Sequence, residues 1–133
     1  MSTCYLKING IIFDTDVAIS DYDETLNVLD GENANRVLSG RMIRDIKGAF
    51  LGHKVTVFRR GDDWQGIDRL WDYLVAHSID DSVMLEAADG QGTIEYEAYY
   101  TTASRKIEKV VNGINYWGSV DINFIPMEAT VKP

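Results

Sequence analysis

The chain has 133 residues, 45% hydrophobic and 26% charged, with 13 basic residues against 21 acidic ones and a formal net charge of −8. That length fits one domain with a single core, and the ordinary composition excludes a disordered or fibrous chain. The acidic balance argues against a nucleic-acid partner, which needs a concentrated basic surface, and it makes identical copies repel unless charges pair where they meet.

In chain order, the first element is a strand over residues 3–8 that contains the single cysteine, Cys4, read as a small apolar strand residue. A lone thiol leaves no intramolecular disulfide and fits a reducing cytoplasm. Asn9-Gly10 supports positive φ in a tight hairpin turn. The return strand over residues 11–19 places Phe13, Thr15, Val17 and Ile19 on one face. The N-terminus lacks a cationic stretch followed by an apolar core, and no run approaches the roughly 20 residues of a membrane helix. A soluble protein made in the cytoplasm is expected.

From residue 20 to residue 40 the pattern dissolves into acidic and Asn-rich sequence and reads as a long loop, a feature more often functional than idle. Two strands follow, over residues 41–50 and 54–60, joined by a Leu51-Gly52-His53 turn. In the first, Met42, Ile46 and Phe50 share a face. A helix over about 62–78 is the clearest element. Asp62 is expected to cap it, with Gln65 completing a capping-box-like pair. Trp64, Ile67, Leu70, Trp71, Leu74 and Val75 form one apolar stripe. Gly66 costs that helix about 1 kcal/mol.

Period-two patterning then returns in a strand over residues 82–87, a turn at Asp89-Gly90-Gln91-Gly92 and a strand over residues 93–101. A further strand over residues 106–111 turns at Asn112-Gly113 into residues 114–124. Ile94, Tyr96, Ala98 and Tyr100 share a face of one strand, and Ile114, Tyr116, Val120, Ile122 and Phe124 a face of the last. Tyr99 and Trp117 fall on the opposite faces, where aromatics either mark a protein interface or pack across strands. The fold class expected is α+β: a mainly antiparallel split barrel or sandwich flanked by one helix.

No catalytic set assembles from these residues. Asp14, Asp16, Asp21, Asp23 and Glu24 cluster, yet they lack the spacing of a calcium loop and read as a solvated acidic segment. His53 and His77 lack a second ligand at metal spacing. Ser39-Gly40 and Ser119 lack a nucleophile elbow, and Gly90-Gln91-Gly92 is too short for a phosphate-binding fingerprint. Neither a catalytic residue, a cofactor nor a metal is expected.

Four segments carry a family resemblance: Leu6-Lys7-Ile8-Asn9-Gly10, Asn33-Ala34-Asn35-Arg36, Ser39-Gly40-Arg41-Met42-Ile43-Arg44-Asp45, and Tyr116-Trp117-Gly118-Ser119-Val120-Asp121-Ile122-Asn123-Phe124. With them the chain resembles small minor tail proteins encoded in the tail-gene clusters of phages and prophages of Gram-positive bacteria. The resemblance implies a non-enzymatic structural part of a virion tail, made in the host cytoplasm, whose partners are other tail proteins and, in a ring, copies of itself. It also implies a β-rich fold with one helix and a loop or hairpin that reaches a neighbouring subunit. An excursion over residues 103–113 departs from the pattern.

Interface candidates follow from that analogy: Asn33, Asn35, Arg36, Arg41 and Arg44 around the loop end, Asp21, Asp23 and Glu24 as their acidic complement on a neighbour, and Tyr99 and Trp117 on the late strands. The same arginines also read as solvated strand residues. A different class of function, a monomeric small-ligand-binding or regulatory β-barrel domain using its mouth or its aromatic strands, is the alternative.

Overall fold

The computed structural model describes residues 6–13, 17–30, 35–36 and 40–132, with the side chains of Asn35 and Arg36 left aside. Cys4, Asp14, Thr15, Asp16, Asn33 and Ser39 lie outside the described residues. Strands β1 (Leu6–Ile8) and β2 (Ile11–Ile12) form the expected hairpin, and the Asn9-Gly10 turn takes φ of 51° and 84°. Such a turn suits these two residues because Gly has no Cβ to clash and Asn tolerates the left-handed region.

The first half of the segment expected to be a loop, residues 20–30, is instead strand. β3 (Val17–Asp30) runs for 14 residues and pairs antiparallel with an equally long β6 (Ile46–Arg59). Between them, β4 (Asn35–Arg36) pairs with β5 (Met42–Ile43). The turn expected at Leu51-Gly52-His53 does not exist, because β6 passes straight through it. Gly52 is there for space, not for turning: a Cβ would lie 3.1 Å from the Phe124 carbonyl oxygen and 3.6 Å from Pro126 Cδ.

Helix α1 (Trp64–Ala76) is shorter than expected, and its N-cap is Asp63, not Asp62. The Asp63 carboxylate accepts a hydrogen bond from the Gly66 amide at 3.2 Å, satisfying one of the orphan donors of the first turn. Ile67, Leu70 and Leu74 are buried, whereas Val75 at the edge of the stripe is 55% exposed. The helix is too short to cross a membrane.

Four strands complete the fold: β7 (Val83–Asp89), β8 (Gly92–Tyr99), β9 (Ala103–Val111) and β10 (Ile114–Pro126), all paired antiparallel. The neighbour order is β2-β1-β7-β8-β10-β6-β3, with β9 also on β10. β10 binds the halves together, pairing with β6 and β9 along residues 114–124 and with β8 at Ile125 and Pro126. Among the described residues β2 and β3 do not meet, so the sheet is open. This corrects the barrel expectation to a sandwich-like α+β fold.

The core lies where the two halves and the helix converge. Leu6, Ile8 and Leu85 come from one half, Val55, Val57, Val120, Ile122 and Phe124 from the other, and Ile67, Leu70 and Leu74 from α1. Full burial of each such side chain contributes about 1.5–3 kcal/mol.

After β10 the chain turns back along β6. Ala49 and Val131 exchange backbone hydrogen bonds at 2.9 and 3.1 Å, and Leu51 N–H donates to Thr130 Oγ1 at 3.1 Å. Gly48 permits this approach: it has φ of +150°, and a Cβ there would lie 2.7 Å from Ala129 Cβ. Gly48→Val should therefore detach residues 129–131 from β6 and cost about 1–3 kcal/mol. Hydrogen exchange at the Ala49 amide is the measurement; unchanged protection would refute the role given to Gly48.

Candidate assembly surface

β3 and β6 form an arm that leaves the body. Directly opposed residues point to the same face, so the pairs Tyr22/Val55 and Glu24/His53 face the core and Leu26/Leu51 and Val28/Ala49 continue that face outward. The stretch beyond Glu24 is roughly 20 Å long at about 3.3 Å per residue. Leu26, Val28 and Leu29 are 60%, 47% and 53% exposed, and Met42, Ile43 and Ile46 near the tip are exposed too. Apolar rows at this density, on a strand flanked by carboxylates, make an exposed apolar surface of the kind found at interaction sites.

The arm is rooted by a polar node that the sequence did not reveal. His53 is fully buried. Its Nε2 lies 2.9 Å from the Ala88 carbonyl and 3.1 Å from Glu24 Oε2, and its Nδ1 lies 2.7 Å from the Tyr96 hydroxyl. A carbonyl only accepts, so Nε2 carries a proton and donates, and in the neutral ring Nδ1 accepts from the Tyr96 O–H. Tyr22 lends its hydroxyl oxygen to the Ala88 amide at 2.8 Å. The node thus ties β3 and β6 to β7 and β8. Burial raises the Tyr96 hydroxyl well above its ordinary ionisation, with Tyr22 and Glu24 adding to the effect.

The expected interface residues separate into groups. Asp21 and Asp23 sit on the outer face of β3, while Glu24 points the other way, to His53. Arg41 is exposed at the far end of the arm, and Asn35 and Arg36 lie there in β4. Arg44 Nε donates to both oxygens of Asp30 at 2.8 and 3.0 Å, and that hydrogen bond raises its pKa further. Its charge is matched within the chain, whereas Arg41 is exposed.

Tyr99 ends β8 and is half-buried. Trp117 does not stand on the face opposite the apolar row: register shifts on both sides of it turn it toward the helix, where it packs against the core. Trp64 meets Tyr116 at 5.0 Å, and the Arg105 guanidinium lies 4.8 Å from the Trp71 ring and 4.0 Å from that of Trp117. These aromatics hold the helix to β9 and β10 by ring and cation–π contacts.

Among the described residues, no three His, Cys, Asp or Glu side chains gather into a metal-holding group. The depression lined by Lys54, Thr56, Ser104, Asp121 and Asn123 opens broadly to solvent.

No protein-family model matches the chain, and no curated protein matches it. Among solved structures it is similar to the SPP1 Dit protein (gp 19.1), described as a paradigm of the hub adsorption apparatus in phages infecting Gram-positive hosts, with a TM-score of 0.51 and 15% identity. The match covers 93% of this chain and 49% of that one, so the chain spans about half the length of the protein it matches. The likeness is one of fold.

Tyr96 binds its proton more tightly when folded, so its contribution is complete below the ordinary tyrosine value of 10 and is lost as pH rises above it. Denaturant titrations from about pH 8 to 11 should show falling stability. Tyr96→Phe should flatten that fall and cost about 1–3 kcal/mol at neutral pH by leaving Nδ1 of His53 without a donor. An unchanged pH slope would contradict the assignment.

Proposed function

We propose that this protein is a non-enzymatic structural component of a phage or prophage tail, in the tube, tail-tip or baseplate region, acting through protein–protein assembly. The observation that carries this reading is the arm: a paired extension whose apolar rows run past the end of the core. A side chain such as Leu26 contributes about 1 kcal/mol or more when a neighbour covers it, and several act together along the arm. The fold likeness to a hub adsorption protein of a phage infecting Gram-positive hosts adds to the reading, as do the sequence segments that resemble minor tail proteins.

On this reading the partners are other tail proteins and further copies of the chain, and the site of action is the virion tail. Arg41 at the tip sets orientation on an acidic neighbour more than it adds affinity. The stiffness of the arm matters as much as its chemistry. A strand paired along its whole length loses little freedom on docking, so less of the contact energy is offset by ordering.

Leu26→Asp combined with Val28→Asp should leave the circular dichroism and melting temperature near those of the parent, because both side chains are exposed. The double variant should fail to enter particles when it replaces the parent in a tail-producing lysogen. Particles of normal composition and infectivity containing the folded variant would overturn the proposal.

A further inference from the structure

Half of the molecule is a four-stranded sheet in the order β9-β10-β6-β3, antiparallel throughout. Its two outer strands are open among the described residues: β3 pairs only with β6, and β9 only with β10. An exposed strand edge is a template for pairing unless it is short, bulged away or blocked by Pro or Lys. β3 has 14 residues and contains no Pro, Lys or Arg. Its four carboxylates and two register shifts guard that edge against a strand of its own kind and leave a basic edge as the one that suits it.

The two edges match each other. β3 carries Asp21, Asp23, Glu24 and Asp30 with no basic residue, whereas β9 carries Arg105, Lys106 and Lys109 against Glu108. Several of these charges are engaged within the chain. Glu24 meets His53, Asp30 meets Arg44, Arg105 and Lys109 lie over aromatic rings, and Glu108 holds Arg59. Asp21, Asp23 and Lys106 are exposed and form no such contact. The charges left over are acidic on one edge and basic on the other.

Direction and register agree as well. With an even number of antiparallel strands, β9 and β3 run in opposite senses. A second copy rotated about an axis along the strands therefore presents its β9 antiparallel to β3 of the first. Reading across the sheet, Ser104, Asp121, Thr56 and Asp21 form one row, and Lys106, Ser119, Phe58 and Ala18 the adjacent one. Lys106 of one copy then falls diagonal to Asp21 of the next, within the reach of a long side chain.

We infer that copies of this chain join head to tail, β3 of one adding to β9 of the next, with Asp21 diagonal to Lys106. Such a heterologous contact closes into a ring when the rotation per copy closes. The inference rests on the assembly role proposed above but names a different surface from the arm. It also gives the hairpin formed by β9 and β10 a task.

Sedimentation equilibrium over a wide concentration range, with hydrogen exchange on the same samples, tests it. The parent should associate and gain protection in β3 and β9 together. Lys106→Glu should raise the concentration needed for association about tenfold, the scale of exchanging attraction for repulsion at an interfacial pair. Asp21→Lys should do the same although it lowers the net negative charge, the opposite of what general repulsion predicts. Both changes in one chain should restore association. A parent that stays monomeric, or charge variants that associate like it, would overturn the edge contact; the arm variant tests the tail role separately, through particle assembly.

Discussion

Nearly everything in this molecule depends on β6 (Ile46–Arg59) remaining one unbroken strand. Its C-terminal half places Val55 and Val57 in the core, and its N-terminal half is the inner strand of the arm. Between them sits His53, a buried imidazole whose desolvation is costly unless both ring nitrogens find partners. Both do, and the partners come from β3, β7 and β8. The arm's angle to the body is therefore fixed by hydrogen bonds that few other orientations would satisfy. A hydrophobic residue at this position would bury as well, but it would fix direction less, because apolar packing is not directional.

The arm is held from both edges. β3 covers one side of β6, and residues 130–131 cover the other at Ala49. An isolated two-stranded hairpin is only marginally stable in water, so the third segment and the polar root both contribute to keeping this one formed. Gly48 and Gly52 are the conditions for it, each admitting a neighbouring chain that a Cβ would push away. The apolar rows are thus displayed on a pre-formed element, which separates the free energy of shaping the surface from that of covering it.

Much of the fold was legible from local chemistry. Asn9-Gly10 and Asn112-Gly113 adopt the positive φ values that those dipeptides favour, and the helix announced itself through Ile67, Leu70 and Leu74. What misled was the use of the same residues for non-local reasons. Gly52 looked like a turn and is a close approach. Asp21, Asp23 and Glu24 looked like a loop because strands are usually poor in carboxylates, yet an edge strand tolerates them on faces that meet water or a partner. Asp62 and Asp63 were equally good caps by type, and only the backbone decides between them. The displacement of Trp117 arises from a bulge, which no period-two count anticipates. The His53 node and the Arg44–Asp30 pair join residues 14 or more positions apart and left no local trace.

The open sheet and the exposed arm are the same problem met twice. A domain that leaves a 14-residue edge unpaired among its described residues and several large apolar side chains in water carries a risk of indiscriminate association. Here the risk is narrowed rather than removed. The acidic residues on β3 disfavour pairing with another β3, and in the proposed edge contact Lys106 on β9 is the complement. The net charge of −8 adds a general repulsion between free copies that a specific contact has to outweigh. Features that look like defects in a monomer, unpaired backbone and uncovered Leu and Val, become selective contacts once the monomer is taken as one unit of a larger assembly.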